Sequence, residues 1–204
     1  MSTISQYKNF YFLGIGGVGM SGIAAWLHNQ NKIISGYDRH KSLYTNRLEK
    51  LGVSIQYNTL INNISNNFLN SNDTLVVYTP AISKVNPLYN YFNLNGFTIL
   101  KRSDLLNHIS EKYTVIAIAG THGKTTISIM LSHILRSAGF NPSAFFGGIS
   151  NNYCSNFLIG TGEYMIIEAD EYDRSFLKLS PAISLITALD NDHSDTYKSD
   201  NEMV

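Results

Sequence analysis

The sequence predicts an α/β protein built from two consecutive parallel-sheet units. Three observations carry that prediction. Short apolar runs alternate with helical stretches along the chain, two glycine-rich turns each follow a strand and open a helix, and 44% hydrophobic residues suffice for packed cores. The 204 residues amount to roughly one and a half domains at ~150 residues each. Fifteen Lys and Arg balance fifteen Asp and Glu, which argues against a polybasic nucleic-acid arm or an acidic tail. Charged residues make up 15%, below the usual ~25%. Asparagine, with 22 copies, takes up the difference, a bias that fits an AT-rich genome. The single cysteine, Cys154, excludes an internal disulfide and a multi-thiolate metal site. The polar N-terminus lacks a signal peptide's apolar core, and no apolar run approaches the ~18 residues of a membrane span. A cytoplasmic protein that engages neither nucleic acid nor membrane is expected.

The first unit is expected over residues 1–109. Phe10-Tyr11-Phe12-Leu13 reads as a buried strand and 18–29 as a helix. Ile33-Ile34 runs through Gly36-Tyr37-Asp38 as a second strand and its loop, and 43–51 is a helix closed by Gly52. Val53-Ser54-Ile55, Leu75-Val76-Val77-Tyr78 and Phe97-Thr98-Ile99-Leu100 supply three further strands, with a helix over 87–95 before the last. An Asn-rich loop spans 58–72, and the aromatic residues of 89–97 read as core and surface filler. Gly14-Ile15-Gly16-Gly17-Val18-Gly19 fits G-x-G-x-x-G between strand and helix, giving the unit a Rossmann-like character. Glycines there permit a tight turn and close backbone approach, so that amides at the helix N-terminus face a diphosphate. Asp38, nineteen residues after Gly19, ends the second strand where a carboxylate accepts hydrogen bonds from a ribose or base. The motif does not choose between a dinucleotide and a UDP-sugar.

The second unit is expected over 110–204. Tyr113 to Ala119 is the most strand-like segment, and it leads into Gly120-Thr121-His122-Gly123-Lys124-Thr125-Thr126 and a helix over 127–137. Gly120-x-x-Gly123-Lys124-Thr125 is a P-loop-type phosphate loop: amides cradle oxyanions, lysine reaches the outer phosphates, and a hydroxyl binds Mg²⁺. It departs from G-x-x-x-x-G-K-[ST] because position 118 is Ile and the leading glycine comes two residues late. Strands are expected over 143–146, 164–167 and 182–187, all in a parallel sheet. The strand over 164–167 ends in Glu168-Ala169-Asp170-Glu171, carboxylates whose crowding a cation relieves, and Mg²⁺ takes one or two carboxylates beside phosphate oxygens. Asp192-His193 follows the last strand in the same manner. The unit then stops at Val204 with three or four strands, the pattern of an incomplete domain.

Taken together, the phosphate loop, Glu168-Ala169-Asp170-Glu171 and Asp192-His193 resemble the Mur ligases of peptidoglycan synthesis. Gly14 through Ala24, Val77 to Ile82, Lys101-Arg102-Ser103, Phe146 to Ile149 and His193 to Tyr197 are similar to segments of that family, in Bacteroidetes-like versions. The resemblance runs the length of the chain and implies a three-domain ligase of which the first domain and part of the second are present. It implies ATP and Mg²⁺ as cofactors, and UDP-N-acetylmuramate and L-alanine as the molecules joined through an acyl phosphate. Carried over, Gly14, Gly16, Gly17 and Gly19 hold the UDP diphosphate, with Asp38 near the nucleoside. Gly120 to Thr126 bind ATP, Lys124 neutralises the outer phosphates, Thr125 and Glu168 hold one Mg²⁺, and His193 helps hold a second. His122 faces the substrate carboxylate. Lys124, Glu168 and His193 are thus the expected catalytic set, in a chain expected to be inactive alone. A murein-tripeptide recycling ligase, a nicotinamide-dependent oxidoreductase and a non-catalytic nucleotide-binding remnant are the alternatives. The oxidoreductase leaves the second phosphate loop unexplained.

Overall fold

The computed structural model describes residues 4–169 and 178–188. The chain divides into two compact units, residues 1–111 and 112–204. Unit 1 runs β1 (Asn9–Leu13), α1 (Val18–Asn29), β2 (Ile33–Tyr37), α2 (Leu43–Lys50), β3 (Ser54–Gln56), β4 (Thr74–Tyr78), α3 (Pro87–Leu94), β5 (Thr98–Lys101) and α4 (Arg102–Ser110). Its five strands are all parallel, in the order β3-β2-β1-β4-β5. β1 lies at the centre with all five residues buried, as expected of a parallel strand covered on both faces. The connection leaves β1 toward β2 on one side and later returns to β4 on the other. The crevice between the β1 and β4 ends is therefore a topological switch point, where open α/β sheets take their ligands.

Local chemistry explains where the helices start. Ser42 and Thr45 form a reciprocal capping box at the head of α2. The Asn86 side chain accepts from the Leu88 and Tyr89 amides at the head of α3, with Pro87 in the first turn. α4 has no such signal. Its N-cap is Lys101, without a side-chain cap, and its first residue is Arg102, so no start marker announces this helix in the sequence.

Tyr11, Phe68, Phe92 and Phe97 form the aromatic heart of unit 1, with Phe92 centred 4.9 Å from both Tyr11 and Phe97. The Asn-rich segment belongs to this core. Two single 3-10 turns, Ile61–Asn63 and Asn66–Phe68, carry buried Ile64 and Phe68 against the sheet. Aromatic residues of 89–97 divide accordingly: Phe92 and Phe97 are buried, while Tyr89 and Tyr91 pack at the margin.

Unit 2 contains β6 (Thr114–Ala119), α5 (Lys124–Ser137), β7 (Ser143–Ser150), β8 (Ser155–Leu158), β9 (Tyr164–Glu168) and β10 (Ile183–Ile186), with strand order β10-β6-β9-β7-β8. Four strands are parallel, and β8 returns antiparallel to β7 at the edge. That hairpin departs from the all-parallel expectation; the four residues 151–154 between β7 and β8 are too few for a helical crossover, so the chain returns antiparallel. On α5, Ser128 and Ser132 are fully buried and donate to the carbonyls one turn back, Lys124 O at 2.8 Å and Ser128 O at 2.7 Å.

Phe92→Ala should lower stability by about 3–5 kcal/mol in a urea titration, since the ring is wholly buried among other rings. Tyr11 gives a second expectation. Its hydroxyl is buried and finds no hydrogen-bond partner among the described residues, and burial pushes its pKa well above the ordinary 10.0. Because the folded pKa is the higher one, the group leaves stability independent of pH below pH 10.0, and stability falls as pH rises past that value and the unfolded chain ionises first. Tyr11→Phe should stabilise by about 1 kcal/mol at neutral pH and flatten the alkaline decline in the same titration.

Candidate functional site

In unit 1, register brings the turn-bearing strand ends level. Leu13 pairs with Tyr37 on one side and Tyr78 on the other, so the loops after β1, β2 and β4 leave the sheet in one row. Between them lies a cleft of about 800 Å³, lined by Gly14, Gly16, Gly17 and Asp38 together with Thr79 and Ile82. Gly19 is not part of that lining; it stands in the first turn of α1. Gly17 is the α1 N-cap and provides no side-chain cap, leaving the positive end of the helix dipole directed at the cleft side of the turn.

Asp38 is engaged with the turn itself. One carboxylate oxygen accepts the Gly16 amide at 2.7 Å, and the other accepts the His40 amide at 3.3 Å. The carboxylate thus braces the glycine turn in addition to facing the cleft.

In unit 2, helix α5 begins at Lys124, three residues earlier than the sequence pattern indicates. Lys124, Thr125 and Thr126 consequently occupy its first turn, where backbone N–H groups have no intrahelical acceptor. Gly123 is the N-cap at φ 80°, a left-handed conformation that a side chain resists. Ile118 explains the displaced leading glycine: it is a fully buried residue of β6, so the turn cannot start before Gly120.

The same strand places the acidic partner. Ile118 pairs in register with Glu168 at the end of β9, and the Thr125 hydroxyl donates to Glu168 Oε1 at 2.8 Å. The Gly147 amide of β7 donates to the other oxygen, Oε2. Gly147 must be glycine for this, because a Cβ there would overlap the Glu168 carboxylate. Lys124 folds back over the loop and donates to the carbonyls of Gly120 and Thr121, the latter at 3.4 Å. From the end of β10, Thr187 donates through its hydroxyl to the His122 carbonyl. Ala188 O accepts both the amide of Thr121 at 2.8 Å and its hydroxyl at 3.2 Å. His122 and Thr126 are exposed. His193, with Asp170, Glu171 and Asp192, lies outside the described residues.

The structure therefore brings Glu168, from the end of β9, onto Thr125, which stands next to Lys124 in the first turn of α5. It adds Gly147, Thr187 and Ala188, which sequence reasoning missed because they come from β7 and β10, whose order in the sheet no local pattern specifies. A hydroxyl and a carboxylate 2.8 Å apart at a phosphate-type loop are hard oxygen donors of the kind Mg²⁺ takes alongside phosphate. The donor set present fits that ion.

Two expectations follow from this geometry. Gly147→Ala should cost about 1 kcal/mol in urea unfolding, since the end of the flexible Glu168 side chain gives way and loses its partners, and the same substitution should add little in a Glu168→Ala background. Asp38→Ala should accelerate amide exchange at Gly16 while leaving core amides of β1 protected, read by proton–deuterium exchange.

Comparison with known proteins follows the two units. Residues 9–114 match the Mur ligase family, catalytic domain, and residues 118–204 match the Mur ligase middle domain. The UDP-N-acetylmuramate–L-alanine ligase of Christiangramia forsetii is 39% identical over 204 residues, covering 100% of this chain and 45% of that protein. The same-named ligase of Phocaeicola vulgatus is 45% identical over 195 residues, covering 95% of this chain and 43% of that protein. Among solved structures, UDP-N-acetylmuramate-alanine ligase from Thermotoga maritima aligns with a TM-score of 0.79 at 29% identity, covering 95% of this chain and 44% of that one. The UDP-N-acetylmuramate:L-alanyl-gamma-D-glutamyl-meso-diaminopimelate ligase from Neisseria meningitides aligns at 0.85 with 24% identity, over 97% and 65%, a likeness of fold. The chain spans under half the length of the curated relatives it matches. Family matches over both units, and identities of 39% and 45% to curated relatives, establish that this chain belongs to the Mur ligase family.

Proposed function

We propose that this chain carries the sugar-nucleotide and ATP sites of an ATP-dependent ligase that joins L-alanine to UDP-N-acetylmuramate in peptidoglycan synthesis. Residues 1–109 form the sugar-nucleotide unit, and 110–204 form part of the ATP unit. The observation that carries this reading is the pairing of Thr125 with Glu168 at the head of the Lys124 loop, in a chain that also has a glycine-turn cleft. The identity to L-alanine ligases supports the choice of amino acid.

In the proposed reaction, the lactyl carboxylate of UDP-N-acetylmuramate attacks the γ-phosphorus of ATP, and the bond to the β-phosphate oxygen breaks to release ADP. The alanine amine then attacks the acyl phosphate, loses a proton, and expels inorganic phosphate to leave the amide. Bringing two anions together makes positioning and charge neutralisation the chief requirements. Lys124 supplies a cation to the outer phosphates, exchanging its present hold on Gly120 and Thr121 for phosphate oxygens. Gly120 to Thr126 present backbone amides to the phosphates, Thr187 and Ala188 hold the loop in shape, and Gly147 holds Glu168 in place. Thr125 and Glu168 hold one Mg²⁺ and His193 helps to hold another; the ion, when bound, neutralises charge developing on the transferring phosphoryl group. His122 faces the substrate carboxylate. Gly14, Gly16 and Gly17 line the cleft that takes the UDP diphosphate, with Gly19 behind them in the first turn of α1, and Asp38 secures the turn beside the nucleoside.

Residues 1–204 by themselves are proposed to bind UDP-N-acetylmuramate without completing ligation, since the relatives are more than twice as long. Calorimetry on the 204-residue chain should register UDP-N-acetylmuramate, and its silence with folded protein would count against the cleft. In a chain extended to the relatives' length, Lys124→Ala should abolish phosphate release dependent on L-alanine, a loss of at least ~10²–10³ in rate. Near-normal turnover would remove the lysine from the reaction. Incorporation of labelled tripeptide in place of alanine would redirect the assignment to a recycling ligase.

A further inference from the structure

The phosphate-type loop of unit 2 is built onto the end of a strand that comes much later in the chain. β10 pairs in parallel with β6, Ile186 opposite Ala119, and the bonding between them continues past both strand ends. The Thr187 amide donates to Ala119 O at 3.0 Å, and the Thr121 amide donates to Ala188 O at 2.8 Å. The Thr187 hydroxyl then reaches the middle of the turn, where it donates to the His122 carbonyl. Gly120 leaves room for this approach. It stands at φ 118°, and a Cβ there would overlap the Thr187 hydroxyl and the backbone of Ala188.

A trans peptide is planar, and its C=O and N–H point in opposite directions, so each of these bonds orients two groups. The Thr121 amide is turned toward β10; the carbonyl of the same peptide, that of Gly120, is turned away from β10 and accepts from the Lys124 ammonium. Two residues on, the polarity is reversed. The His122 carbonyl is held toward β10, which turns the amide of the same peptide, that of Gly123, away from it. No described residue accepts from the Gly123 amide. Gly123 is left-handed and Lys124 after it is helical, a succession that makes neighbouring amides converge on an anion. The turn does not secure this orientation by itself. Rotating the His122–Gly123 peptide changes φ of Gly123, and glycine populates both signs of φ. Rotated, the peptide would present a carbonyl oxygen to the anion instead of an amide.

We propose that Thr187 is a positioning residue for nucleotide use: its hydroxyl fixes the His122–Gly123 peptide so that the Gly123 amide is delivered to a phosphate oxygen. The proposal rests on the reading of Gly120 to Thr126 as an ATP loop and deepens it, since β10 is given the task of selecting which amides of that loop meet phosphate. The Thr121 amide is spent on Ala188 O, and the Gly123 amide is kept for the ligand. A hydroxyl suits the task because it donates to the carbonyl without bringing a charge beside the phosphates.

The test is calorimetry of the 204-residue chain with inorganic triphosphate in the presence of Mg²⁺. Proton–nitrogen spectra follow the Gly123 amide through the titration, and urea midpoints check that each variant is folded. In the wild type the Gly123 amide proton should move downfield as triphosphate binds. Thr187→Val, which keeps the shape and removes the hydroxyl, should weaken triphosphate by about 10-fold, the effect of losing one hydrogen bond to a charged group. It should also abolish the Gly123 shift, and Thr187→Ser should restore both. Wild-type affinity and an unchanged Gly123 shift in Thr187→Val would overturn the proposal while leaving the ATP reading standing. A loss of affinity with the Gly123 shift intact, or equal losses in Thr187→Val and Thr187→Ser, would assign Thr187 a structural role and overturn it as well. A folded wild-type chain that binds no triphosphate would remove the ATP reading and the proposal together. Should Thr187→Val not fold, Thr187→Ala is read by the same two measurements and decides between the same outcomes.

Discussion

Pairing of β6 with β9 is the constraint on which the second unit's site rests. It sets Ile118 opposite Glu168, and because the phosphate-type turn begins just beyond Ile118, the carboxylate arrives beside Thr125 with no loop to position it. A slip of one residue along either strand would turn Glu168 to the other face of the sheet. Register is secured by what lies behind it: Ile116, Ile118 and Ile166 are buried in one cluster under α5. Packing of ordinary apolar side chains thereby fixes the hydroxyl–carboxylate separation of 2.8 Å. Neighbouring strands complete the arrangement, β7 through the amide of Gly147 and β10 through Thr187.

Legibility in the sequence follows the distance over which each feature is determined. The two glycine turns can be read because strand, turn and helix are contiguous, and a few residues specify the whole geometry. The β strands other than β8 read clearly for the same reason, being short apolar runs with turn residues at their ends. Glycine 147 could not be read, because its reason for being glycine lies in Glu168, twenty-one residues away and on another strand. Helix α4 was hidden by two cations at its head, where capping chemistry normally signals a start. The edge strand β8 was hidden because an alternating βα pattern leads one to expect helices between strands. Its hairpin instead turns through Cys154, a non-glycine residue at φ 49°. The displaced leading glycine, an irregularity in the motif, becomes intelligible once Ile118 is seen to be core.

Both turns are held by bonds that a ligand can supplement or replace. In unit 1 a carboxylate grips the Gly16 amide; in unit 2 the Lys124 ammonium grips loop carbonyls. Each device satisfies a polar group that the turn geometry leaves exposed or half-buried, and each keeps the backbone near a shape suited to anions. Preorganisation of this kind reduces the ordering required when a ligand arrives. The two differ in sign. The carboxylate sits beside the amides and stays as a brace, whereas the ammonium carries the charge that phosphate seeks.

Asparagine usage shows how the fold absorbs a compositional pressure. Asn86 caps α3, and Asn58 and Asn70 close local turns by accepting from backbone amides two residues ahead. Asn31 and Asn141 take left-handed backbone conformations, at φ 60° and 45°, that few other side chains tolerate. At such positions the residue does work that serine, aspartate or glycine does elsewhere. Asparagine is thereby accommodated at bends and helix heads of this protein, while the strands that set its registers are built from isoleucine, valine and other apolar residues.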